Sequence, residues 1–200
     1  MFRMSINLIL ALLAFSATSA SATLITSEDF TSGAIGWSDN RTSLINGDRV
    51  LGGFNLFGLG AYTQKTFTLS GNQTAVDISL DFWKGDSWDN EHFYVYVDGN
   101  LLFDQSYMYY QGTQITGQPH GLWHELLVPI SLNYDTTATS LTLKFSSNLN
   151  QGPGDEWWAV DNVVINDNAS TQVPEPSILA IFALTIIGLV ARKVKHRNLS

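Results

Sequence analysis

Cysteine is absent from all 200 residues. That excludes disulfide cross-links, thiol nucleophiles and thiolate metal sites, so stability has to come from a packed core and, at most, a metal held by oxygen or nitrogen ligands. Positive charge is also scarce, with ten Lys and Arg against eighteen Asp and Glu. Arg3, Arg192, Lys193, Lys195 and Arg197 lie at the two ends, which leaves the long middle section five basic residues against seventeen acids. A surface of that sign repels nucleic acid and anionic lipid and suits divalent cations or neutral sugars. Between the ends there is also no run of ten or more residues with helical periodicity.

What is present begins with two apolar ends. Arg3, the apolar run Ile6 to Phe15 and the small residues Ala20, Ser21 and Ala22 stand in the order of a signal peptide. Cleavage after Ala22 is expected, since a small-x-small pattern fits a peptidase pocket at the scissile bond. At the other end, Pro174, Glu175 and Pro176 precede an uncharged stretch from Ser177 to Ala191 and the basic cluster. Ile178 to Val190 would reach only about 20 Å as a helix, short of the ~30 Å hydrocarbon core of a bilayer. Ser177 to Val194 would reach about 27 Å, enough if Arg192 and Lys193 snorkel to the headgroups. On that reading the basic cluster is cytoplasmic and everything before Pro174 lies outside. A buried core helix is the other reading that length alone allows.

The segment VPEPSILAIFALTIIGLVARKVKHR resembles the PEP-CTERM sorting signal of Gram-negative bacteria that make extracellular polysaccharide. The resemblance implies that Pro174, Glu175 and Pro176 are a recognition motif for exosortase, a membrane protease-transpeptidase. It also implies a transient anchor at the inner membrane, followed by release to the cell surface or extracellular matrix. The expected organisation is therefore a signal peptide at 1–22, a globular domain at 23–169, and a linker with the sorting and transmembrane tail at 170–200.

The middle section reads as all-β. Val76, Ile78, Leu80 and Phe82 alternate with Asp77, Ser79 and Asp81, and the same period of two recurs at Phe93, Val95, Val97 and at Leu141, Leu143, Phe145. Further strands are expected at 24–30, 50–54, 62–69, 101–107, 126–130 and 157–165. Asp98-Gly99 between two such runs signals a hairpin, because both residues tolerate the positive φ of a type I′ turn. Nine or so short strands in one domain predict a two-sheet antiparallel β-sandwich of jelly-roll type. The closing string DEWWAVDNVVI resembles the last strand of many exported jelly-roll and lectin-like domains.

Hard oxygen ligands concentrate in DFWKGDSWDNE, read as a strand end, a glycine-containing loop and a strand start. Asp86, Asp89 and Glu91 are candidate Ca²⁺ ligands there, because calcium takes six to eight oxygens. A solvated acidic turn is the alternative. A second candidate joins Glu28 of the first strand region to Asp161 of the last, with Asp161 and Asn162 satisfying a bulge as the alternative.

Six tryptophans invite two uses, core filling and stacking on sugar rings. Trp157 and Trp158 are adjacent in a strand and should face opposite sides, so Trp158, Trp88 and Tyr109 are candidate ligand-binding aromatics. Catalysis has little support. There is no G-x-S-x-G, and the His120 to His124 string lacks the Glu of a zincin motif. Glu91, Glu125 and Glu156 are the carboxylates a glycoside-acting enzyme would draw on. The expectation is a non-catalytic, exopolysaccharide-associated or carbohydrate-binding surface protein. A purely structural matrix component is the alternative.

Overall fold

Alternating residues commit this chain to sheets whose faces differ, and a computed structural model shows how those faces are disposed. It describes residues 22–114 and 123–168. The signal segment, the linker and the sorting tail lie outside the described residues. Ten strands run β1 (Thr23–Glu28), β2 (Thr42–Ile45), β3 (Asp48–Gly52), β4 (Tyr62–Thr68), β5 (Ala75–Asp86), β6 (Asp89–Val97), β7 (Asn100–Met108), β8 (Leu126–Asp135), β9 (Ser140–Ser147) and β10 (Glu156–Asn168).

They form two antiparallel sheets. One has the order β2-β3-β10-β5-β8, with β1 also pairing β10; the other has the order β4-β9-β6-β7. The long strand β10 is the spine of the first sheet. It pairs β5 from Glu156↔Asp86 to Asn168↔Ala75, while its opposite edge takes β3 near Ala159 and β1 near Val164. The first and last strands thus meet, as the sequence suggested. The Asp98-Gly99 hairpin is also as expected: both residues have positive φ, and Val97 pairs Asn100.

The inward rows of the two sheets make one core. Phe82 of β5 stacks on Phe93 of β6 with centroids 3.9 Å apart, and Phe93 also meets Trp158 of β10 at 5.5 Å. Trp37, from the loop after β1, stacks on Phe145 of β9 at 5.3 Å. These rings bridge the sheets, and burying them supplies the hydrophobic stabilisation that disulfides do not. A smaller cluster of Ile45, Val50, Trp157 and Ala159 is buried separately, with Phe54 and Trp83 packed against it.

Two local expectations change. The strand β2 was not foreseen; it pairs β3 around the Asn46-Gly47 turn, and four residues are too few to show a period. The glycine-containing loop is not a loop, because β5 continues through Lys84, Gly85 and Asp86, paired to β10 throughout and to β8 as far as Lys84. Only Ser87 and Trp88 then carry the chain from the first sheet to the second.

Candidate functional site

That two-residue crossing gathers the starts of β6, β8 and β10 and the ends of β5 and β7. Asp86 pairs Glu156, Lys84 pairs Leu126, and Asp89 pairs Met108. Chemistry-bearing residues far apart in sequence therefore share one end of the sandwich.

Asp89, Glu91 and Glu156 each offer a carboxylate oxygen, and these oxygens lie within 4.8 Å of one another. Glu156 is fully buried and Glu91 nearly so, whereas Asp89 is exposed. Glu91 Oε1 accepts from Asn150 Nδ2 at 2.8 Å, and its Oε2 accepts from the Asp89 backbone N–H. Glu156 accepts long bonds from Gln151, at 3.3 and 3.4 Å, and a backbone hydrogen bond from Asn150. Burial pushes the Glu156 carboxyl up to about 7, with the Glu91 charge as the next cause. Burial also raises Glu91, assisted by its side-chain hydrogen bond with Asp89. Such a trio has two ways to relieve its repulsion, keeping protons or holding a hard cation. Oxygens at ~2.4 Å around a single Ca²⁺ are at most about 4.8 Å apart, so the spacing fits that ion.

Asp86 does not join the trio. It is buried, and its Oδ2 accepts from Trp157 Nε1 at 3.1 Å, on the side where Lys84 lies. Glu28 and Asp161 do not share a site either. Glu28 takes the Trp37 indole N–H at 2.6 Å and the Lys65 ammonium, an ion pair between β1 and β4. Asp161 sits at a bulge where Asn162 has φ 49°, and its Oδ1 accepts from the Asn162 backbone N–H at 2.7 Å. Burial pushes Asp161 up to about 6, with Asp48 and Asp81 adding repulsion. The bulge reading accounts for this pair.

Lys84 is fully buried, and its ammonium donates to the backbone carbonyls of Asp86, Met108, Tyr109 and His124. Burial lowers it to about 8 against the attraction of Glu125 and Asp86. One side chain thereby ties the ends of β5 and β7 to the segment entering β8.

Two of the three candidate stacking aromatics are corrected. Trp88 and Trp158 have no exposed surface, so neither can meet a sugar. Trp88 donates its indole N–H to the Trp157 carbonyl, and Trp158 packs on Phe57. Both residues adjacent in β10 are in fact buried, because Trp157 lies on the outer sheet face beneath its own small cluster. Tyr109 is exposed, and its ring meets Tyr110 at 5.4 Å and Trp123 at 5.2 Å, both edge to face. Tyr110 and Trp123 are exposed as well. Sequence reasoning missed Glu156 as a partner of Glu91 within the cation cluster, and also missed Lys84 and Trp123. Only the tyrosine pair had a local signal, two aromatics running into Gln111 and Gly112.

A glycosidase reading would need Glu91 and Glu156 to reach a glycosidic oxygen. Their burial gives a substrate no approach to Glu156, and Glu125 lies near Lys84.

Residues 172–195 match the PEP-CTERM protein-sorting motif. Some solved structures are similar to the chain at low identity. A cleaved adhesin domain of Lys-gingipain from Porphyromonas gingivalis is 12% identical over 72% of this chain and 100% of that one, with a TM-score of 0.48. A xylan-binding domain from Paenibacillus barcinonensis is 15% identical over 76% and 99%, with a TM-score of 0.47. A domain of a multidomain xylanase from the hindgut metagenome of Trinervitermes trinervoides is 14% identical over 75% and 99%, with a TM-score of 0.41. No curated protein matches the chain.

Proposed function

We propose that this chain is an exported, non-catalytic module of the cell surface or extracellular matrix that binds extracellular polysaccharide at the aromatic end of its sandwich. The carrying observation is the contiguous exposed surface of Tyr109, Tyr110 and Trp123. Flat rings with polar tips match the apolar faces and hydroxyl edges of sugars, and a rigid platform loses little entropy on binding. Lys84 supports that rigidity by holding the Tyr109 and His124 carbonyls. Ca²⁺ at Asp89, Glu91 and Glu156 would stiffen the same end from the other side, because Asp89 pairs Met108 next to Tyr109. The sorting motif supports delivery by exosortase, with a transient membrane anchor before processing.

Affinity electrophoresis of the full-length chain in a sugar-free detergent, through gels cast with the producing organism's polysaccharide, tests the reading. Retardation is expected, reduced about tenfold in apparent affinity by Tyr110→Ala or Trp123→Ala. Mobility unchanged by every polysaccharide tried would leave a structural matrix role in its place.

A further inference from the structure

The five basic residues of the described part are unevenly available. Lys65 is paired with Glu28, Lys84 is buried among carbonyls, and Arg49 donates to Thr42 at the sheet edge. Of the other two, Arg41 lines the same groove as the exposed ring of Tyr62, and Lys144 lies over that ring from outside the groove lining. Tyr62 opens β4, is 54% exposed, and pairs Ser146 of β9. The Lys144 ammonium lies 5.1 Å from the centre of the Tyr62 ring and 5.4 Å from that of Tyr96. Among the described residues no carboxylate pairs with Lys144.

Tyr62 also lines a groove of about 410 Å³, together with Ser38, Asp39, Arg41, Leu59 and Pro153. That volume lies within the ~300–1,000 Å³ usual for small-molecule clefts. The Arg41 guanidinium is fixed in the groove wall. Its Nε and Nη2 donate to the two Asp39 oxygens at 2.9 and 2.6 Å, and its plane packs 5.6 Å from the Phe57 centroid. Its Nη1 has no hydrogen-bond partner among the described residues. Beyond Tyr62 the sheet face continues as aromatic rings at alternate positions of β6, Tyr96, Tyr94 and His92, with neighbouring centroids 6.2 and 5.9 Å apart.

We propose that the groove at Tyr62 is a binding site for a carboxylated saccharide, a uronate-bearing segment of a glycan. The Tyr62 ring stacks on the apolar face of the sugar, Arg41 Nη1 and the Lys144 ammonium take the carboxylate, and Asp39 and Ser38 accept or donate at ring hydroxyls. A neutral sugar would offer Arg41 Nη1 and the Lys144 ammonium no anionic acceptor. A phosphate polymer has neither an apolar ring face for Tyr62 nor ring hydroxyls for Asp39 and Ser38. The ring row on β6 gives room for more than one sugar unit. Because β4 and β7 are opposite edges of the four-stranded sheet, roughly 14 Å apart at ~4.8 Å per strand, this site is independent of the Tyr109 cluster.

Isothermal titration calorimetry tests the proposal on the full-length chain in a sugar-free detergent with a chelator present. The probes are oligomers of galacturonate, glucuronate and mannuronate, each beside its methyl ester. At least one acid form should bind about tenfold more tightly than its ester and weaken between ~50 and ~500 mM NaCl. Arg41→Gln and Lys144→Gln should each weaken that binding about fivefold, and Tyr62→Ala more. Tyr110→Ala should leave it unchanged. Equal affinity for acid and ester, binding indifferent to Lys144→Gln and Arg41→Gln in variants with native circular dichroism, or no binding to any acid form would overturn it.

Discussion

Glu156 has no surface exposed to water, yet its bonds from Gln151 are long and two further carboxylates stand within reach. An isolated charge in such a place is unfavourable, so above its raised pKa the group should either strain the fold or hold a cation. Glu156→Gln removes the charge and keeps nearly the same shape. Without calcium at about pH 8, this variant should be more stable than the parent by about 1 kcal/mol in urea denaturation. Millimolar Ca²⁺ should raise the parent's melting temperature and leave the variant's unmoved. A parent indifferent to calcium would remove the ion from the proposal. Asp89 and Glu91 were legible as candidates because they stand side by side in sequence. Glu156 was not, because only the crossing from β5 to β6 brings a residue 65 positions away against them.

At the scale of the strand, β5 shows how a local rule misleads. Lys-Gly-Asp reads as turn chemistry. Here Gly85 stays in the strand because Trp157 of β10 lies across it: an added Cβ would come within 1.9 Å of the indole. The glycine makes room for a neighbouring ring. Gly85→Ala should therefore push Trp157 out of its seat and away from Asp86, at a cost of roughly 3 kcal/mol. A lowered urea midpoint and a changed near-ultraviolet tryptophan signal would register this, and an unchanged midpoint would refute the packing account. The pairing of β6 with β7, by contrast, was readable because Asp98-Gly99 fixes its turn without distant help.

The whole molecule sums these local charges into a pH dependence. An acid whose pKa is higher folded than unfolded holds its proton more tightly in the native state. Its contribution is complete below the ordinary pKa and is lost as pH rises through the raised one. Glu156 moves from 4.5 to about 7 and Asp161 from 3.8 to about 6, while Glu91 is also raised. Stability in the presence of a chelator should thus fall as pH rises from about 4 to about 7. Lys84, lowered to about 8, stays protonated across that window and does not offset the fall. A urea midpoint that is flat or rising over the same range would contradict these assignments, and added calcium should restore the loss if the trio binds it.

The sequence alone determined the two-sheet sandwich, its hairpin and its C-terminal sorting motif. Those features are written in neighbouring residues, through alternation, turn chemistry and the order of apolar and basic runs. Tertiary structure decided which aromatics face water and which acids meet. Exposure of a ring and the distance between carboxylates depend on what distant strands bring over them. Trp158 and Tyr109 looked alike as candidates in the chain and differ only because one lies between the sheets and the other at their rim.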